Sequence, residues 1–133
     1  MADTQTTTDT LTITLSRRPP VKITKGDWPV IASAFDRDHD GTIEEHANRR
    51  EAWRLTVRQH TDGRAIVYGV YCFSSPFSGE PDRSVREGML VGLDGDLPSA
   101  IYDVAEAMDR RIGSAVMKEL AHETVAGLPA VVL

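Results

Sequence analysis

The sequence predicts an α+β fold, built on a mainly antiparallel β-sheet of about four or five strands. One short helix stands before a central hairpin, and two helices close the chain. Three observations carry this reading. Trp53, Leu55 and Val57 alternate with Arg54, Thr56 and Arg58, the period of a half-buried strand. Thr61-Asp62-Gly63-Arg64 then separates this run from a second apolar one, which is the signature of a tight hairpin. Beyond Asp96, residues Ile101, Val104, Ala105, Met108 and Ile112 fall at helical spacing on one stripe.

The elements follow in chain order. Residues 1–10 are polar and threonine-rich and read as a flexible tail, so residues 11–133 form the single α+β domain. Leu11, Ile13 and Leu15 alternate with Thr12, Thr14 and Ser16 in a first strand. Arg17-Arg18-Pro19-Pro20 breaks it, and Val21-Lys22-Ile23 gives a second strand, paired as a hairpin or continuous as one bent edge strand. Asp27 is placed to cap a short helix with Pro29 in its first turn, running through Val30, Ile31 and Ala34 to Phe35. Asp62-Gly63 suits a type I′ turn. The return run from Ala65 to Phe73 is apolar on both faces, which predicts a central strand covered on both sides. Ser74 to Asp82 reads as a loop and Gly88 to Leu93 as another strand. Asp96 or Ser99 caps the first C-terminal helix, with Pro98 in its opening turn. Gly113 interrupts, and a second helix runs from Ser114 to Ala126 before Gly127.

Composition excludes several classes of function. The 133 residues suit one domain, and a net charge of −5 disfavours nonspecific phosphate binding. The N-terminal residues carry no secretion-signal pattern, and no apolar run approaches the ~20 residues of a membrane helix. These features predict a cytoplasmic protein without membrane contact. Cys72 is the one cysteine, so no intrachain disulfide forms; inside its apolar run it reads as a small buried hydrophobe.

The stretch Asp36-Arg37-Asp38-His39-Asp40-Gly41-Thr42-Ile43-Glu44-Glu45-His46-Ala47 approaches a calcium loop. Asp36, Asp38 and Asp40 hold the first, third and fifth positions, Gly41 the sixth and Glu44 the ninth. Ala47 stands where a bidentate glutamate belongs, and Arg37, Arg49 and Arg50 repel a cation. No cofactor is expected. A degenerate calcium-binding module at 36–47, with candidate ligands Asp36, Asp38, Asp40 and Glu44, is the alternative. Without calcium, the stretch is an exposed acidic loop.

No enzyme is expected, because no nucleophile, base and orienting group assemble in the sequence. His39, His46, His60 and His122 include no helical i, i+4 pair of the kind that binds metal. Asp94 and Asp96 serve most simply to cap the following helix. A stripe of Arg54, Arg58 and Arg64, with Tyr68 and Tyr71, offers a nucleic-acid-binding reading that the negative charge disfavours. A small nucleic-acid- or ligand-binding regulator is therefore a further alternative.

The segments Arg17 to Val21, Asp27 to Ala32, Val57 to Tyr71 and Asp96 to Ile101 resemble small accessory proteins carried by proteobacterial phages and plasmids. The likeness spans most of residues 11–130 and rests on structural motifs. It implies a mobile-element protein of the anti-CRISPR type, an inhibitor of host defence. The implied partner is a host protein or ribonucleoprotein with a basic surface, such as a CRISPR effector subunit, with no direct nucleic-acid binding. Its expected contacts are Asp36, Asp38, Asp40, Glu44 and Glu45, aided by Asp103, Glu106 and Asp109.

Overall fold

The structure, a computed structural model, describes residues 9–36, 50–74 and 83–129. Six strands and two helices follow one another: β1 (Thr10–Leu15), β2 (Arg18–Thr24), β3 (Val30–Phe35), β4 (Arg50–Gln59), β5 (Ala65–Ser74), β6 (Arg83–Val91), α1 (Leu97–Ile112) and α2 (Val116–Ala126). The fold is α+β, as the sequence predicts. Strands β3 to β6 form one antiparallel sheet in sequence order, and β1 and β2 form a separate antiparallel hairpin.

The pleat of the sheet sets up three layers. Trp53, Leu55, Val57, Val67 and Tyr71 point to one face, where Ile101, Val104, Met108, Met117 and Leu120 of the helices cover them. Helix α1 lies over β5 and β6, and α2 over β3 and β4. On the opposite face Ile66 joins Ile13, Leu15 and Ile23 of the hairpin, flanked by Trp28 and Tyr68. The two-sided cover expected for β5 therefore holds along its first half. It ends before Cys72, which is exposed rather than buried, because the hairpin does not reach that far along the strand.

Strand β3 corrects the helix expected over residues 27–35. Only Lys25–Asp27 makes a single 3-10 turn, and Val30–Phe35 is extended. Its buried residues are Ala32 and Ala34, two apart, and both face α2. Six residues are too few for a helix to stand alone, whereas pairing with β4 satisfies the backbone at once. The small alanines also leave room for the helix above.

The hairpin joining β4 and β5 forms with a different turn from the one expected. The Gly63 amide donates to the His60 carbonyl at 2.9 Å, and the His60 amide donates to Arg64 at 2.8 Å. Gly63 has φ +102°, while neither Thr61 nor Asp62 has positive φ. This is a type I turn closed by a glycine bulge, rather than a type I′ turn. Asp62 supports it by accepting from the Arg64 backbone at 2.9 Å and the Arg64 side chain at 2.8 Å. The backbone bond first, then the side-chain bond and the Arg64 and His60 charges, hold the Asp62 carboxyl below its ordinary value.

The β1–β2 hairpin is fastened to the sheet edge at Gly88. The Ser16 amide donates to the Gly88 carbonyl at 2.9 Å, and the Gly88 amide donates to the Ser16 hydroxyl at 3.2 Å. A Cβ at position 88 would collide with the Thr14 carbonyl oxygen, so only glycine allows this approach. The hairpin begins at Thr10, and the Lys25 amide donates to the Asp9 carbonyl at 3.0 Å. The tail expected over residues 1–10 otherwise lies outside the described residues. So do the expected loop at 75–82 and the apolar ending at 131–133. Among the described residues no helix is long and apolar enough to cross a membrane.

Candidate functional site

Of the eight acidic residues expected to make contact, Asp36, Asp103, Glu106 and Asp109 lie among the described residues. Asp36 directly follows β3, with its amide donating to the Trp53 carbonyl at 3.1 Å. Asp38, Asp40, Glu44 and Glu45 lie outside the described residues. The connection that holds them joins two paired antiparallel strands, β3 and β4, where a calcium loop of the EF-hand kind joins two helices. No group of three or more metal-binding side chains occurs among the described residues.

Helix α1 supplies the other three residues, and it assigns them different work. Asp103 and Glu106 are exposed, and neither side chain is engaged in an ion pair among the described residues. They border different depressions. Asp103 faces β6 and the β1–β2 turn, whereas Glu106 faces the cleft between the helices. Asp109 is a structural residue. Its carboxylate accepts from the Ser114 hydroxyl at 2.8 Å and from the Met117 and Lys118 amides, each at 3.0 Å. Helix α2 lacks a capping side chain of its own, since Ala115 stands at that position. Asp109 therefore caps α2 from α1, and its oxygens are committed.

Helix α1 itself starts as the sequence predicts. Asp96 accepts from the Ser99 amide at 3.2 Å and the Ser99 hydroxyl at 3.0 Å, with Pro98 in the first turn. Tyr102 and His122 join the helices through a 2.7 Å contact between Oη and Nδ1.

The basic stripe on the sheet is engaged internally. Arg58 donates to the Tyr68 hydroxyl and to the Trp28 carbonyl, both at 2.9 Å. Arg64 is held by Asp62 and lies 5.2 Å from the centre of the Trp28 ring. Arg54 lies 5.0 Å above the Phe35 ring. Tyr71 belongs to the helix-covered face, where its hydroxyl donates to Glu51 at 2.6 Å. The two tyrosines thus point to opposite sides of β5 and do not form a shared stacking surface.

Sequence reasoning missed a second polar cluster, where the β1–β2 turn, β6 and α1 converge. The Glu87 carboxylate accepts from the Ser16 hydroxyl and from Arg111 Nη1, and Arg111 also donates to the Arg86 carbonyl at 3.2 Å. Burial pushes the Glu87 carboxyl up. The bonds from Ser16 and Arg111, with the Arg111 and Arg17 charges, outweigh that and hold it below its ordinary value. A groove of about 710 Å³ opens beside this bridge, lined by Arg17, Arg86, Arg110 and Arg111 together with Glu87 and Asp103. The one local sign of this cluster would have been a glutamate on the helix-facing side of β6, a position that needs a cationic partner.

The net negative charge falls mainly on the segment that carries the helices. From residue 92 onward seven carboxylates stand against three cations, whereas residues 1–91 carry thirteen carboxylates against twelve cations. Comparison with models of known families, with curated proteins and with solved structures found no match.

Proposed function

We propose that this chain is a non-enzymatic binding protein whose acidic helical layer docks on a basic surface of a host nucleic-acid-handling complex. A CRISPR effector subunit is the specific partner class. The mechanism is occlusion: carboxylates occupy lysines and arginines that otherwise hold phosphates. The observation that carries the reading is where the net charge falls. Four of the five net negative charges belong to the segment from residue 92 onward, which carries both helices, while residues 1–91 are nearly balanced. Asp103 and Glu106 are its described contacts, since both are exposed and neither side chain is engaged in a hydrogen bond or ion pair among the described residues. Asp109 leaves the set, because its carboxylate is needed to start α2.

Rim charges of this kind act mainly on association rate, and each contributes about 0.2–1 kcal/mol. Binding of the purified protein to a purified CRISPR effector complex, measured at low and high salt, is the test. Affinity that falls with salt, and falls again by about two- to tenfold in Asp103→Asn/Glu106→Gln, is the expected result. Binding indifferent to both salt and these substitutions would remove the helical layer from the contact.

A further inference from the structure

We propose that the groove between the β1–β2 turn, β6 and α1 is a binding site for a compact, multiply charged phosphate compound, of the polyphosphate or phosphate-ester class. This site shares Asp103, on its rim, with the contacts proposed above for a macromolecular partner, but it does not depend on that reading.

Arg54, Arg58, Arg64 and Arg83 are each engaged, by the Phe35 ring, the Tyr68 hydroxyl, the Asp62 carboxylate and the Arg111 carbonyl. Arg17, Arg86 and Arg110 make no side-chain hydrogen bond among the described residues, and all three line the same groove. Arg111 joins them, fixed in place by Glu87 and the Arg86 carbonyl, with further N–H donors to spare. Four guanidinium groups thus face two carboxylates, a local positive excess inside a negative protein. Guanidinium forks match the oxygens of phosphate two at a time, and a concave site strengthens the field between them.

Backbone geometry adds a second, independent observation. Arg17 sits in the turn after β1 at φ +62°, the only non-glycine residue with positive φ among those described. Glycine would take that conformation without strain. An arginine in that position places a cation at the groove at a cost to the fold, which is the pattern of a functional residue.

The size and surroundings select the ligand. About 710 Å³ is the volume of a small-molecule cleft. Glu87 closes one side, and Asp103 stands on the rim, with further acidic residues along α1. An extended nucleic acid would have to run over those carboxylates, whereas a compact anion sits among the arginines alone.

Isothermal titration of the full chain with inorganic pyrophosphate at low ionic strength tests the proposal. Saturable binding is expected, weakened about three- to tenfold by Arg86→Gln and by Arg110→Gln. Arg17→Gly is expected to weaken binding without lowering the melting temperature, because it removes the cation and relieves the turn. Asp103→Asn is expected to tighten binding, a gain that a damaged fold cannot produce. The same substitution weakens docking under the function proposed above, so the two readings fail separately. Absence of binding at millimolar pyrophosphate would overturn the proposal. Equal weakening by Arg54→Gln would do the same, and so would preferential binding of single-stranded oligothymidylate with affinity growing with its length.

Discussion

Replacing Asp109 by alanine separates a structural carboxylate from a contact carboxylate. In the folded protein Asp109 serves two amides at the start of α2 and the Ser114 hydroxyl, all at 2.8–3.0 Å. Loss of a helix cap costs about 1–2 kcal/mol, and loss of the negative charge at the positive end of the helix adds about 0.3–1 kcal/mol. Asp109→Ala is therefore expected to destabilise by about 2 kcal/mol. For a chain of this size that lowers the melting temperature by about 6–10 °C. Asp109→Asn keeps one acceptor oxygen and loses about half as much. Asp103→Asn and Glu106→Gln, on exposed positions of the same helix, stay within about 0.5 kcal/mol of the parent. Thermal unfolding followed by circular dichroism, with urea titration for the free energies, reads all four variants. If Asp109→Ala melted with the parent protein, the cap would carry no energy and Asp109 would return to the set of possible contacts.

Other substitutions probe the hairpin, the Glu87 cluster and the open face. Gly88→Ala forces β1 away from the sheet edge, because its Cβ meets the Thr14 carbonyl; a loss of about 1–3 kcal/mol and faster amide exchange in β1 and β2 are expected. Glu87 has a lowered pKa in the folded state, so its stabilisation is complete above about pH 4.5, the ordinary glutamate value, and is lost as pH falls through the lower folded value. Glu87→Gln should accordingly lower stability at neutral pH and flatten its decline on the acid side, as measured by urea unfolding across that range. Cys72 is exposed, so a thiol reagent should label it fully without denaturant. Protection of Cys72 in the native protein would show that something covers the outer face of β5.

What the sequence made legible was local. The β4–β5 hairpin follows from alternation on both sides of an Asp-Gly pair, and the start of α1 follows from Asp96, Pro98 and Ser99. Strand β3 was not legible, because in six residues Val30, Ile31 and Ala34 fit a helical stripe as readily as Ala32 and Ala34 fit one face of a strand. Its extended form is decided by β4 alongside and α2 above. The exposure of Cys72 depends on how far the hairpin reaches along β5, which no local pattern encodes. The capping role of Asp109 was hidden as well. The amides that donate to it lie eight and nine residues away, across the turn at Gly113, well beyond the spacing of an ordinary cap. The arginine groove was the least legible feature, since Arg17, Arg86 and Arg110 come from three separate elements that meet only because Gly88 lets β1 close on β6.

Docking by the acidic helical layer is tested most directly by comparing two double variants in the same effector-complex binding measurement. Asp103→Asn/Glu106→Gln removes charge from the helices, and Arg54→Gln/Arg64→Gln removes charge from the sheet face. Weaker, less salt-sensitive binding for the first pair, with the second binding like the parent, is the predicted result. Binding that survives loss of the helical carboxylates and disappears with the sheet arginines would contradict it.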